Sequence, residues 1–206
     1  MNGSSFDNNL PCIAEKEVIA VEQIADYLVF NMKKAGAYEI KDEKTLKQLE
    51  SIVFDKSGNV EKDLIGKSAA YILNKMGIKD RNDAKVIIME TSKDHGFVQH
   101  ELMMPILPIV RAKDVNDAID IAVEVEHGNR HTAIMHSKNV DNLTKMAKKT
   151  QTTIFVKNGP SYAGIGVGGE GYTTFTIAGP TGEGLTSAKS FTRKRRCVLV
   201  DGFHIK

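Results

Sequence analysis

Val86-Ile87-Ile88-Met89 is an uninterrupted apolar run made almost entirely of β-favouring residues. A strand wetted on one face alternates apolar with polar, so a run with no polar member predicts a strand covered on both faces. Such a strand needs helices above and below it. The flanking sequence supplies them. Upstream, Val18-Ile19-Ala20-Val21 reads as a short β-branched strand. After it, Ile24, Leu28 and Met32 recur at helical spacing, with Gly36 as a stop. Thr45 to Phe54 repeats the pattern with Leu46, Leu49 and Val53, and Lys67 to Met76 does so again, closed by Gly77. Downstream, Leu107-Pro108-Ile109-Val110 is the next strand. Pro108 lacks an amide hydrogen and predicts a strand start or a sheet edge. Val115 to Glu126 places Ala118, Ile119, Ala122 and Val123 on one face, with Asp114 as N-cap and Gly128 as stop. Thr132 to Met135 is a strand, Asn139 opens a helix through Leu143, Met146 and Ala147, and Thr152 to Val156 is a strand. Strands separated by helices of this length predict an α/β fold, a mostly parallel sheet with helices on both faces.

The chain has 206 residues, 41% of them hydrophobic, enough for one core of modest domain size. A formal net charge of +2 does not imply a nucleic-acid partner. Two cysteines without regular spacing suggest neither a disulfide framework nor a zinc site, which fits a reducing cytosol. No apolar run approaches the roughly 20 residues of a membrane span, and no basic-then-apolar leader is present. Met1 to Ser5 reads as a loop.

The last quarter changes character. Asn158 to Gly171 is rich in glycine, Tyr172 to Ile177 alternates like a strand, and Gly179 to Gly184 is a second flexible loop. Gly166-Val167-Gly168-Gly169-Glu170-Gly171 satisfies the dinucleotide pattern G-x-G-x-x-G. That pattern works only between a strand and a helix N-terminus, and strand-like residues follow here. A permissive loop near the reaction centre is the better expectation. Cys197 to Val200 predicts a late strand that adds to a sheet edge, in this chain or another, with Cys197 a packed, inert thiol.

Chemistry concentrates in Asp7-Asn8-Asn9-Leu10-Pro11-Cys12-Ile13-Ala14-Glu15-Lys16. A cysteine after proline, in a polar loop running into a helix-like segment, is expected near a helix N-terminus. The amides of that first turn favour thiolate over thiol, as a nucleophile requires. The amide of Cys12 can itself donate to an oxyanion on the attacked carbonyl.

This segment resembles the nucleophile loop of the CoA-acylating aldehyde dehydrogenases of propanediol and ethanolamine utilisation, the propionaldehyde branch above all. The resemblance continues through His100-Glu101-Leu102-Met103-Met104-Pro105-Ile106-Leu107-Pro108, through Thr153 to Gly164, and on to Arg195-Arg196-Cys197-Val198-Leu199. It implies that Cys12 is the acyl-carrying nucleophile and that Glu101, four before Pro105, holds the nicotinamide ribose. It further implies NAD as cofactor and CoA as co-substrate, with a short-chain aldehyde, propanal or ethanal, converted to acyl-CoA through a cysteine thioester. In that family a nucleotide-binding domain precedes the nucleophile loop. The resemblance therefore implies a catalytic domain over residues 1–192 and an oligomerisation tail over 193–206. The N-terminal NAD-binding domain is absent, so the chain alone is expected to be inactive. It also implies a homo-oligomer, and either cytoplasm or a bacterial microcompartment lumen for the full-length enzyme. The oxyanion asparagine of the family belongs to the upstream domain, and Asn8, Asn9 and Asn158 are not assigned to its role.

Other candidates are weaker. His95, His100, His131 or His136 could serve Cys12 as base in a Cys-His hydrolase, but no spacing selects one. His127 and His131 are four apart, yet Gly128 interrupts them and no H-E-x-x-H pattern exists, so a metal site is not expected. Arg193 to Arg196 could meet a phosphate, though four basic residues beside a strand more often form an exposed face. A reading of a different class remains, a structural or oligomerising fragment without turnover.

Overall fold

The computed structural model describes residues 1–171, 173–178 and 184–201. In chain order the elements are α1 (Asn2–Ser5), β1 (Val18–Val21), α2 (Glu22–Lys34), β2 (Ala37–Ile40), α3 (Glu43–Val53), α4 (Ala69–Lys75), β3 (Val86–Glu90) and α5 (Gly96–Gln99). They continue with β4 (Ile106–Ala112), α6 (Val115–Val125), β5 (Thr132–Met135), α7 (Val140–Thr150), β6 (Ile154–Lys157), β7 (Ile177–Ala178) and β8 (Gly184–Leu185).

Four strands form a parallel sheet in the order β1-β4-β3-β2. Alternation along β3 shows why its sequence has no polar interruption. Val86 and Ile88 pack with Ala25, Val29 and Met32 of α2 on one face. Ile87 and Met89 pack with Leu49 and Val53 of α3 and with Ile72 and Leu73 of α4 on the other. All four strand residues are at most 1% exposed, so both faces are helix-covered as expected. Each such side chain contributes about 1.5–3 kcal/mol by leaving water. Helix starts follow the predicted chemistry: Asp114 accepts from the amides of Asn116 and Asp117, and Asn139 accepts from Asn142.

The structure corrects several expectations. Strands β5 and β6 pair in parallel with each other as a separate two-stranded sheet. Pro108 lies in an interior strand, not at an edge. The carbonyls of Pro105 and Ile109 accept from Ile87 and Thr91 on the β3 side. Pro108 therefore faces β1, one residue before that pairing begins at Val18 with Ile109, so no ladder bond is lost. In α2 the inward stripe is Ala25, Val29 and Met32, while Ile24 is 54% exposed. Both phases have helical spacing, and only the sheet selects one. Residues Met1 to Ser5 are not a plain loop. They contain α1, where a Cβ on Gly3 would stand 2.1 Å from a Glu15 carboxylate oxygen and would force that side chain to shift.

The expected strand over Tyr172 to Ile177 shrinks to β7, paired antiparallel with β8. Thr174 instead turns its hydroxyl to the Thr176 carbonyl and to Thr186. Tyr172 and most of the loop expected over Gly179 to Gly184 lie outside the described residues. Cys197 to Val200 forms no strand, and Cys197 is exposed rather than packed. A strand exists only by pairing, and none of the described residues pairs with this run, whose Val198, Leu199 and Val200 are 67–80% exposed. Residues 202–206 of the expected tail are outside the described set.

Candidate functional site

The loop before β1 is built around three consecutive residues in the left-handed region, Asp7, Asn8 and Asn9, at φ 47°, 52° and 64°. Asp and Asn tolerate that region better than other residues with a Cβ, and three together still cost about 1 kcal/mol or more apiece. Hydrogen bonds offset the strain. The buried Asn9 donates from Nδ2 to the carbonyls of Ser4 (3.0 Å) and Glu15 (2.7 Å). Asn8 Nδ2 reaches the Gly66 carbonyl, and the Gly66 amide donates in turn to Met103. The amides of Asn8, Asn9 and Asn158 are thus all engaged in bracing, Asn158 on the Ser137 carbonyl, and Asn9 commits both of its amide hydrogens this way.

Cys12 stands exposed on a turn closed by the Ala14 amide on the Pro11 carbonyl. No helix follows it: the chain passes from this turn directly into β1, so the expected helix N-terminus is absent. Glu15 and Lys16, where a first helical turn would run, are drawn off, Glu15 by a partner distant in sequence and Lys16 by the loop just before it. The Glu15 carboxylate accepts from the amide and hydroxyl of the buried Ser161 at 3.0 and 2.8 Å. Lys16 Nζ donates to Asn9 O, Asn9 Oδ1 and Pro11 O at 3.1, 3.0 and 3.3 Å. Any electrostatic help to the thiol therefore comes from a side chain, not a helix terminus.

Glu101 lies in the same place: its Oε1 is 3.6 Å from Lys16 Nζ. Burial holds Lys16 below the usual lysine value, and Glu101 partly restores it. Of the histidines proposed as bases, the structure brings His131 to this cluster. Desolvation lowers its pKa, against the opposing pull of Glu101 and Glu126. Its Nδ1 lies 2.7 Å from Thr132 Oγ1. His95 is occupied as the cap of α5 and by Glu50, His100 lies against the Gly96 carbonyl and the Phe54 ring, and His136 is exposed. His127 and His131 do not share a helix, because α6 has ended at Val125. Sequence reasoning missed Glu17, which burial pushes up to about 7, with Lys16 opposing and Glu126 adding to the rise. Nothing in its sequence context signals burial.

Cys12 opens on a cleft of about 590 Å³ lined mainly by Phe6, Leu10, Pro11, Ile165, Phe175 and Ile177. Among the described residues Asp7 is the one charged side chain in that lining, so the walls suit a small apolar group. A second depression, about 320 Å³ along β2, contains none of the expected site residues. Gly166 to Gly171 follows a 3-10 turn at Ser161–Ile165 and opens no helix. Gly166, Gly168 and Gly171 take positive φ, and a Cβ at Gly169 would meet the Ala163 carbonyl at 2.6 Å. These glycines form a turn, and none of them lines the cleft of Cys12. Arg193 to Arg196 are exposed.

The site gathers at the amino ends of the strands: Cys12 and Lys16 precede β1, Glu101 precedes β4 and His131 precedes β5. Open parallel sheets usually bind ligands at their carboxyl ends, so this location separates the chain from the ordinary doubly wound pattern.

The family model described as "Aldehyde dehydrogenase family" matches residues 12–186. Among curated proteins, the propanal dehydrogenase (CoA-propanoylating) of Citrobacter freundii is 51% identical over 207 aligned residues, covering 100% of this chain and 44% of that protein. The propionaldehyde dehydrogenase of Rhodopseudomonas palustris, solved with bound CoA and an acylated cysteine, superposes at a TM-score of 0.91 with 66% identity. It covers 96% of this chain and 45% of that one. A propionaldehyde dehydrogenase from the Clostridium phytofermentans fucose-utilisation microcompartment gives 0.89 at 51% identity, covering 100% of this chain and 47% of that one. The chain thus spans somewhat less than half the length of these relatives.

Proposed function

We propose that this chain, which belongs to the aldehyde dehydrogenase family, is the nucleophile-bearing part of an NAD-dependent CoA-acylating aldehyde dehydrogenase acting on a short-chain aldehyde such as propanal or ethanal. The observation that carries the reading is an exposed thiol, Cys12, at the mouth of an apolar cleft, on a turn whose Pro11 carbonyl accepts from the half-buried Lys16. The thiolate attacks the aldehyde carbon to give a thiohemiacetal, and loss of hydride leaves an acyl group on sulfur. Nicotinamide, when bound, accepts that hydride. The CoA thiol then attacks the thioester carbonyl and Cys12 departs as thiolate, giving acyl-CoA. The half-buried His131, held neutral by desolvation, is in the state that can take the CoA thiol proton.

The residues present fit the cofactor at one point. Glu101 is about half exposed and uses Oε1 toward Lys16, leaving Oε2 without an ion pair among the described residues. A ribose hydroxyl donating to a carboxylate suits it. The similarity to a CoA-bound relative with an acylated cysteine supports Cys12 in the acyl-carrying role. In the same reading, residues 1–192 form the catalytic domain. The tail from Arg193 pairs with another chain, an assignment supported by the exposed Val198-Leu199-Val200 run. No helix among the described residues is long and apolar enough to cross a membrane. The microcompartment origin of one relative supports a microcompartment lumen for the complete enzyme.

The test is NADH formation from propanal and CoA by the 206-residue chain, with and without a nucleotide-binding half supplied in trans or by fusion. Turnover is expected only with that half, and to vanish in Cys12→Ser. Robust turnover by the chain alone, or turnover surviving Cys12→Ser, contradicts the proposal.

A further inference from the structure

His131 stands one residue before β5, and its main chain is tied on both sides. Its amide donates to Glu126 Oε1 at 3.1 Å, just past the end of α6, and its carbonyl accepts from the Ile154 amide of β6 at 3.0 Å. The imidazole is tied as well, with Nδ1 2.7 Å from Thr132 Oγ1. That contact does not follow from adjacency in sequence. Successive side chains of a strand point to opposite faces, and these two meet because His131 lies just outside the strand, where the alternation does not bind it. Nε2 has no hydrogen-bond partner among the described residues. Desolvation keeps the half-buried ring neutral against the pull of Glu101 and Glu126, and Lys16 acts in the same direction as burial.

A neutral imidazole has one proton to place, and the hydrogen bond made by one nitrogen selects the state of the other. A threonine hydroxyl can accept or donate. Base chemistry at the unpartnered Nε2 requires the proton on Nδ1, and Thr132 Oγ1 is placed to accept from it. Once Nε2 has gained a proton, both ring nitrogens are donors and Oγ1 has to accept. A hydroxyl that accepts from Nδ1 before and after the transfer needs no rearrangement during it. We propose that Thr132 is the positioning residue of His131: its Oγ1 accepts from Nδ1–H and leaves Nε2 bare to take the proton of the attacking CoA thiol. The inference rests on the reading of His131 as that base. In the step, the S–H bond of CoA breaks and its proton goes to Nε2, while the CoA sulfur bonds to the thioester carbon. The bond from that carbon to the Cys12 sulfur then breaks, and Cys12 leaves as thiolate. Glu101 and Glu126 favour the resulting imidazolium, and Lys16 opposes it.

The experiment is nitrogen-15 NMR of the histidine-labelled chain at about pH 8, where His131 is neutral. The chain has six histidines, and the signal missing from His131→Gln identifies this one. The parent should show Nδ1 protonated and Nε2 bare. Thr132→Val removes the hydroxyl and keeps the branched shape. It should lower the ratio of Nδ1–H to Nε2–H tautomer about twofold to tenfold, the range that one neutral hydrogen bond supports. Thr132→Ser should restore the parent ratio, and Thr132→Ala replaces Thr132→Val if the latter does not fold. A threonine that only packs would leave the ratio where it was. A parent ring protonated at Nε2, or an unchanged ratio on loss of the hydroxyl, overturns the proposal. Release of a propionyl group from Cys12 by CoA separates the two readings. Its rate should fall with the Nδ1–H population in Thr132→Val and recover in Thr132→Ser. An unchanged rate in His131→Gln, with the tautomer result intact, sinks the base assignment of His131 and leaves the hold of Thr132 on the ring standing.

Discussion

Glu17 is a carboxylate that the fold holds in the wrong environment for its charge. Burial raises it to about 7 from the usual 4.5, with Lys16 pulling the other way. A raised carboxylate pKa means that the folded state binds the proton more tightly than the unfolded chain. The associated stability is complete below the unfolded value near 4.5 and is lost as pH rises through about 7. Glu17→Gln should therefore leave stability near pH 5 almost unchanged and raise it by about 1–3 kcal/mol at pH 8. Urea unfolding at the two pH values checks this. Equal effects at both would show that the carboxyl is not desolvated. His131 has the opposite sign: its lowered pKa makes the folded state reluctant to protonate, so stability is lost as pH falls through the ordinary histidine range. Cys12 and Glu101 were named from the sequence because the segments around them resemble those of a known family. Lys16, Glu17 and the choice of His131 were not, because each depends on burial or on a partner placed there by a different strand.

At the scale of elements, β3 is the test of the fold. Ile87 is fully buried between α3, α4 and the sheet. Ile87→Ala should cost about 2–5 kcal/mol, read as a lower denaturation midpoint with an unchanged slope. A cost under about 1 kcal/mol would mean that this face is not packed. The apolar run announced the strand, and caps such as Asp114 and Asn139 announced their helices, because those signals are local. The phase of α2 was not readable, since Ile24 and Ala25 begin equally periodic stripes and only contact with Val86 and Ile88 selects the second. The interior place of Pro108 was hidden for a similar reason: its tolerance depends on where β1 begins. The helix expected after Cys12 is replaced by a turn whose Glu15 binds Ser161, a partner no local pattern reveals, and whose Lys16 folds back onto Asn9.

At the scale of the molecule, the four-stranded parallel sheet carries Lys16 and Glu101 at its amino edge, before β1 and β4, and the separate two-stranded sheet carries His131 before β5. The chain spans less than half of its relatives, and its apolar tail run lies exposed. Under the proposed function, the cleft of Cys12 is completed by other polypeptide. That view still requires the thiol to be chemically competent on the scaffold described. Intact-mass analysis after incubation with propionyl-CoA tests this most directly. The account predicts a single propionyl adduct that maps to Cys12, is removed by free CoA and is missing from Cys12→Ser. An adduct on Cys197 alone, or one that persists in Cys12→Ser, would contradict it.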